Sequence, residues 1–132
     1  MARAKKAAAE IADETETVAS LRRLMLEFVQ ERKWTKFHNP RNLAASISIE
    51  AAELLEHFQW LTAEEAQRKS AEDGKFRREV GEEMADVLLY LLSLANTLGL
   101  DMARTVHEKM KKNRLKYPAE KFQGEYYRPV RK

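Results

Sequence analysis

Apolar positions return every three or four residues along most of this chain, the spacing that stacks side chains on one face of an α-helix. Val18, Leu21, Leu24, Met25, Phe28 and Val29 predict a first helix over roughly 17–33. Trp34 to Asn42 breaks the rhythm, and Pro40 suits a first helical turn with Asn39 or Asn42 as its cap. Leu43, Ile47, Ala51, Leu54 and Phe58 mark a second helix from about Arg41 to Trp60. Thr62, with Glu65 three residues on, has the form of a capping box for a short helix, and Gly74 marks a break. A third helix, about Lys75 to Leu98, becomes apolar nearly all round from Val87 to Leu94. That predicts burial on several sides, at the centre of a bundle or in a subunit interface. Gly99 ends it, Asp101 caps a fourth helix reaching about Tyr117, and Pro118 closes that one.

Four helices with short connections and no strands predict an all-α four-helix bundle over residues 17–118. Residues 1–16, rich in Ala, Lys and Glu, read as a helix-prone extension. The tail, 119–132, carries Phe122, Tyr126 and Tyr127 and is expected to pack across a neighbour. Composition agrees: 132 residues allow one core, and only four glycines and three prolines punctuate the chain. The absence of cysteine excludes disulfides and thiolate metal sites. The N-terminal stretch has no apolar core of a secretory signal, and the run Val87 to Ala95 is far too short to span a bilayer. A soluble cytoplasmic protein without a membrane partner is the expectation.

Net charge is only +3, but its distribution is uneven. From Glu50 to Asp86 there are eleven carboxylates against five Lys and Arg; from Arg104 onward there are ten Lys and Arg against three Glu. An acidic stretch suits a divalent cation and a basic one suits phosphates, so the pair suits a metal–polyphosphate site or, equally, solvated helices of lopsided charge.

The carboxylates are ordered further. Glu50 and Glu53 on the second helix, and Glu83 and Asp86 on the third, each lie three residues apart, so each pair shares one side of its helix. Glu50 and Glu53 border the apolar stripe, and Asp86 directly precedes the most apolar segment. Four carboxylates beside a core repel one another and cost several kcal/mol to desolvate unless a positive charge compensates. Mg²⁺, hard and oxygen-seeking, does this well. A di-iron centre would need Glu-x-x-His on two helices, which this chain lacks.

Lys109, Asn113 and Lys116 share a face at the end of the fourth helix, as phosphate donors or as a solvated basic terminus. Trp34, Phe37 and His38 precede the second helix and Trp60 ends it; the tryptophans suit core, interface or a stacking platform for a base. Tyr90, one turn after Asp86, suits contact with the same place or simple packing in the bundle. His57 and His107 read as ordinary polar helix residues.

The run Glu31-Arg32-x-Trp34-x-x-Phe37-His38-x-Pro40-Arg41-Asn42-Leu43-Ala44 is followed by Ser46-Ile47-x-x-Glu50-Ala51-Ala52-Glu53-Leu54-Leu55-Glu56-x-Phe58-Gln59-Trp60. Then come Glu82-Glu83-x-Ala85-Asp86-Val87-Leu88-x-Tyr90-Leu91-Leu92 and Lys109-x-x-x-Asn113-x-x-Lys116-Tyr117-Pro118. In this order the blocks resemble the dCTP pyrophosphatase branch of the MazG-like all-α NTP pyrophosphatases, over about Leu21 to Gly124. The resemblance implies a four-helix protomer that assembles as a dimer or a dimer of dimers. It implies Mg²⁺ ligands at Glu50, Glu53, Glu83 and Asp86, and nucleotide contacts at Trp34, His38, Trp60 and Tyr90. Lys109 and Asn113 match positions near the phosphates, while Met25 stands where some animal relatives carry a histidine. The implied reaction is Mg²⁺-dependent hydrolysis of a nucleoside triphosphate, dCTP or a 5-substituted analogue, to the monophosphate and pyrophosphate. Glu53 is the candidate for orienting the attacking water, and no nucleic-acid polymer is expected as partner.

The rival reading is a non-catalytic helical adaptor whose basic end touches nucleic acid. It predicts salt-sensitive binding to nucleic acid and no thermal shift with Mg²⁺ and dCTP. It leaves the paired carboxylates beside apolar stripes unexplained.

Overall fold

The computed structural model of the chain describes residues 10–124, and every regular element among them is helical. The long helices are α1 (Val18–Glu31), α2 (Pro40–Glu56), α4 (Gly74–Leu98) and α5 (Met102–Lys116); α3 (Ala63–Glu72) and α6 (Ala119–Phe122) are short additions, and Thr35–Phe37 form a 3-10 turn. The chain divides into two compact units, Met1–Gly99 and Leu100–Lys132.

In the first unit α4 is the element against which α2, α1 and α3 all pack. The buried apolar side chains are Met25 and Val29 of α1, Leu43 of α2, and Phe76, Leu92 and Ala95 of α4. Full burial of each large one is worth about 1.5–3 kcal/mol. Local chemistry sets the ends of the helices. Asn39 accepts the Asn42 amide at 3.0 Å, with Pro40 as the first residue of α2. Thr62 and Glu65 exchange side-chain and backbone bonds at 3.2 and 2.8 Å, the reciprocal box expected for α3. Gly99 closes α4 at φ 63°, the left-handed region that glycine enters without a Cβ clash.

Several expectations need correction. Where the extension is described, from 10 to 16, it forms a turn rather than a helix: the Thr15 hydroxyl accepts the Ala12 amide at 3.0 Å and donates to the Glu10 carbonyl at 2.8 Å. Such bonds offer the backbone an alternative to the helical ladder. The helix then starts cleanly, because Thr17 and Ser20 cap each other reciprocally. α2 stops at Glu56, short of Trp60. The Phe58 and Gln59 amides both fold back to the Leu55 carbonyl, and the Phe58 ring lies edge-on against Phe76, centroids 5.4 Å apart. The break expected at Gly74 falls one residue earlier, at Asp73, which accepts the Lys75 and Phe76 amides at 3.0 Å each and so lets Gly74 open α4.

The apolar half of α4 is buried at Leu92, Ser93 and Ala95, but Met84, Leu88 and Leu91 stay 57, 46 and 41% exposed. Among the described residues, α1, α2 and α3 cover part of this helix and leave those three positions open.

In the second unit Asp101 caps α5 by accepting the Arg104 amide at 2.9 Å. Phe122 packs edge-on against Tyr117, centroids 5.4 Å apart, so this part of the tail covers the end of its own helix. Tyr126 and Tyr127 lie outside the described residues. No single helix among the described residues is long and apolar enough to cross a membrane.

Candidate active site

The packing of α2 on α4 sets Glu50 against Glu83 and Asp86, which lie one turn apart on the longer helix. Carboxylate oxygens from these three residues all lie within 4.8 Å of one another. Glu50 and Glu83 are half-buried and Asp86 is exposed. Glu53, one turn further along α2, is exposed and stands outside this trio. Burial raises the Glu50 carboxyl above its ordinary range, and repulsion from Glu53, Asp86 and Glu83 raises it further. Three hard oxygen donors, mutually repelling and still reachable from solvent, form a donor set that fits a divalent cation of the Mg²⁺ type.

Beside the trio stands His57, read from the sequence as an ordinary polar helix residue. It caps α2, is 23% exposed, and brings Nε2 to 4.0 Å from Glu83 Oε1. Spacing along one helix could not reveal this, because the contact crosses to another.

Asp86 has a second neighbourhood. With Leu24, Met25, Phe28, Trp34, Leu89 and Tyr90 it lines a cavity of about 500 Å³, apolar on nearly every wall. Trp34 reaches it through a tight exit from α1. Lys33 takes φ 55°, unusual for a residue with a Cβ, while the Lys33 amide bonds to the Gln30 carbonyl and the Trp34 amide to that of Val29. The indole then meets Phe28 edge-on at 5.9 Å, and the Arg32 guanidinium covers the Phe28 ring 3.6 Å from its centroid.

His38 faces elsewhere. Its Nδ1 is 2.9 Å from the buried Ser93 hydroxyl, its carbonyl accepts from Thr97, and it lines a second cavity of about 460 Å³ with Thr35, Asn39 and Asn96. Burial lowers its pKa, which favours the neutral ring. It stacks on Tyr90 at 6.4 Å between centroids and so backs that residue instead of lining the tryptophan cavity. Trp60, 86% exposed, is not among the residues that line either one. Lys109 and Asn113 lie on α5 in the second unit, where Asn113 is half-buried and Lys109 exposed. The structure therefore brings Glu50, Glu83 and Asp86 together, and Trp34 with Tyr90.

Comparison with known proteins gives a consistent result. The chain is 42% identical over 108 residues to dCTP pyrophosphatase 1 of Rattus norvegicus, a match covering 82% of this chain and 63% of that protein. To dCTP pyrophosphatase 1 of Homo sapiens it is 42% identical over 103 residues, 78% of this chain and 60% of the relative. The chain thus spans less than two thirds of the length of these curated relatives. The crystal structure of a pyrophosphatase from Archaeoglobus fulgidus DSM 4304 matches with a TM-score of 0.72 at 42% identity, covering 83% of this chain and 99% of that one. The model of the MazG-like family matches residues 45–127, a span that holds all four carboxylates, and the chain belongs to that family.

Proposed function

We propose that this protein is a Mg²⁺-dependent nucleoside triphosphate pyrophosphohydrolase that releases the monophosphate and pyrophosphate, acting on dCTP or a 5-substituted dCTP. The observation that carries this reading is Asp86, which belongs both to the carboxylate trio and to the wall of the aromatic cavity. A ligand seated there meets a flat apolar slot at one end and a cation-binding cluster at the other, as a nucleotide requires. Names of relatives from two vertebrates, and of a structural neighbour, point the same way.

In this reading Glu50, Glu83 and Asp86 hold the metal with Glu53 nearby. A Mg²⁺ ion held there would supply positive charge to the phosphoryl oxygens and to the departing pyrophosphate. Glu53, exposed one turn from Glu50, orients a water and takes its proton as the oxygen attacks the α-phosphorus. The bond from that phosphorus to the α–β bridging oxygen breaks, and pyrophosphate leaves with the electron pair. Trp34 and Tyr90 hold the base by stacking, His38 steadies Tyr90 from behind, and the exposed Trp60 is a further nucleotide contact. The exposed stripe Met84, Leu88 and Leu91 on α4 supports a homo-oligomer, a dimer or a dimer of dimers, that buries it. Cleaning of the cytoplasmic deoxynucleotide pool is the role that fits such an enzyme.

The test is pyrophosphate release from all eight common NTPs and dNTPs with Mg²⁺. The highest kcat/KM is expected for dCTP, and Asp86→Asn or Glu53→Gln should cut turnover by about 10²-fold or more while leaving the fold intact. Wild-type release by both variants would overturn the assigned site.

A further inference from the structure

The contact between His57 and Glu83 is made across two helices, from the C-terminal cap of α2 to the middle of α4. Its geometry is held from behind. The imidazole lies edge-on against Phe76, centroids 5.9 Å apart at 82°, and Phe76 is only 4% exposed. Phe76 is itself fixed by Asp73, which accepts its amide at 3.0 Å, by the edge of Phe58, and by Lys69, whose ammonium sits 4.7 Å from its centroid. A ring seated this firmly presents Nε2 to the carboxylate from a fixed point, while Glu83, on a flexible side chain, is the partner that must be oriented. At 4.0 Å the pair is within ion-pair reach, and a swing of the carboxylate by about 1 Å brings it to ordinary hydrogen-bond length.

We propose that His57 is a positioning residue: its Nε2–H holds the Glu83 carboxylate in the orientation that turns it toward Glu50 and Asp86. The inference rests on the reading of that trio as the metal site. Carboxylates that ligate a metal are themselves oriented by hydrogen-bond donors, and loss of such a donor lowers metal affinity. His57 does not join the ligand set, since Mg²⁺ selects oxygen over imidazole nitrogen.

Isothermal titration of the full chain with Mg²⁺ alone, repeated as a Mg²⁺-dependent rise in Tm, tests this. His57→Phe keeps a ring against Phe76 but has no donor, and its Mg²⁺ dissociation constant should rise about tenfold or more. His57→Gln carries an amide N–H to nearly the same place and should stay within about threefold of wild type. Wild-type affinity in His57→Phe overturns the proposal. So does an equal loss in both variants, which would make the ring's packing the cause. Glu83→Gln separates the proposal from the reading beneath it. If wild type binds Mg²⁺ and Glu83→Gln does not, the metal site stands whatever the His57 variants do; if wild type takes up none, both fall.

Discussion

Two acidic places in the first unit differ in what surrounds them. At the start of α4, Asp73 accepts the Lys75 and Phe76 amides, and its pKa is lowered first by the Phe76 bond, against a smaller opposing effect of burial, then by the Lys75 bond and by Lys69 and Lys75. At the crossing of α2 and α4, Glu50 faces Glu53, Glu83 and Asp86, and its pKa is raised by burial and then by their charges. One carboxylate stabilises the fold and the other strains it. Like charges kept together at a cost are what a site for a ligand of opposite charge requires, and this cluster lies apart from the cap that stabilises the start of α4.

Destroying the first place should have the larger effect on stability. Phe76→Ala removes a buried ring that seats Phe58 and His57, and should cost about 3–5 kcal/mol, read as a drop in the urea midpoint. A loss below 1 kcal/mol would mean this corner is not the anchor described.

Charge removal sharpens the contrast, with smaller effects of opposite sign. Glu50 has a folded pKa above its unfolded one, so its contribution to stability falls as pH rises from the unfolded value through the folded value, and the penalty is complete above both. Asp73 has a folded pKa below its unfolded one. Its stabilisation is complete above the unfolded value and is lost as pH falls through the folded one. At neutral pH and without divalent metal, Glu50→Gln should therefore raise Tm and Asp73→Ala should lower it, and both differences should shrink in acid. Thermal unfolding of the two variants at neutral and acid pH checks this; the same sign for both would remove the distinction.

The sequence made the scaffold legible where local chemistry decides structure. Asn39-Pro40, the Thr62–Glu65 box and Gly99 each mark a helix end because the satisfying group lies within three residues or in the residue itself. The convergence of carboxylates was legible in part: a spacing of three sets Glu83 and Asp86 on one face of α4, but the same spacing joined Glu50 to Glu53, which stands outside the trio. The end of α2 was not: Phe58 continues the apolar period, and only its docking on Phe76 from a turn shows that the helix has already stopped. His57 was hidden because its partner comes from another helix. The separate surroundings of Trp34 and His38 were hidden because a loop has no period from which direction can be read.

The proposed activity requires the oxygens of Glu50, Glu83 and Asp86 to share one cation. The anomalous difference map of a crystal soaked in Mn²⁺, as a stand-in for Mg²⁺, tests that directly. A peak coordinated by carboxylate oxygens of all three residues is predicted. Side chains turned apart into solvent, with no peak between them, would contradict it.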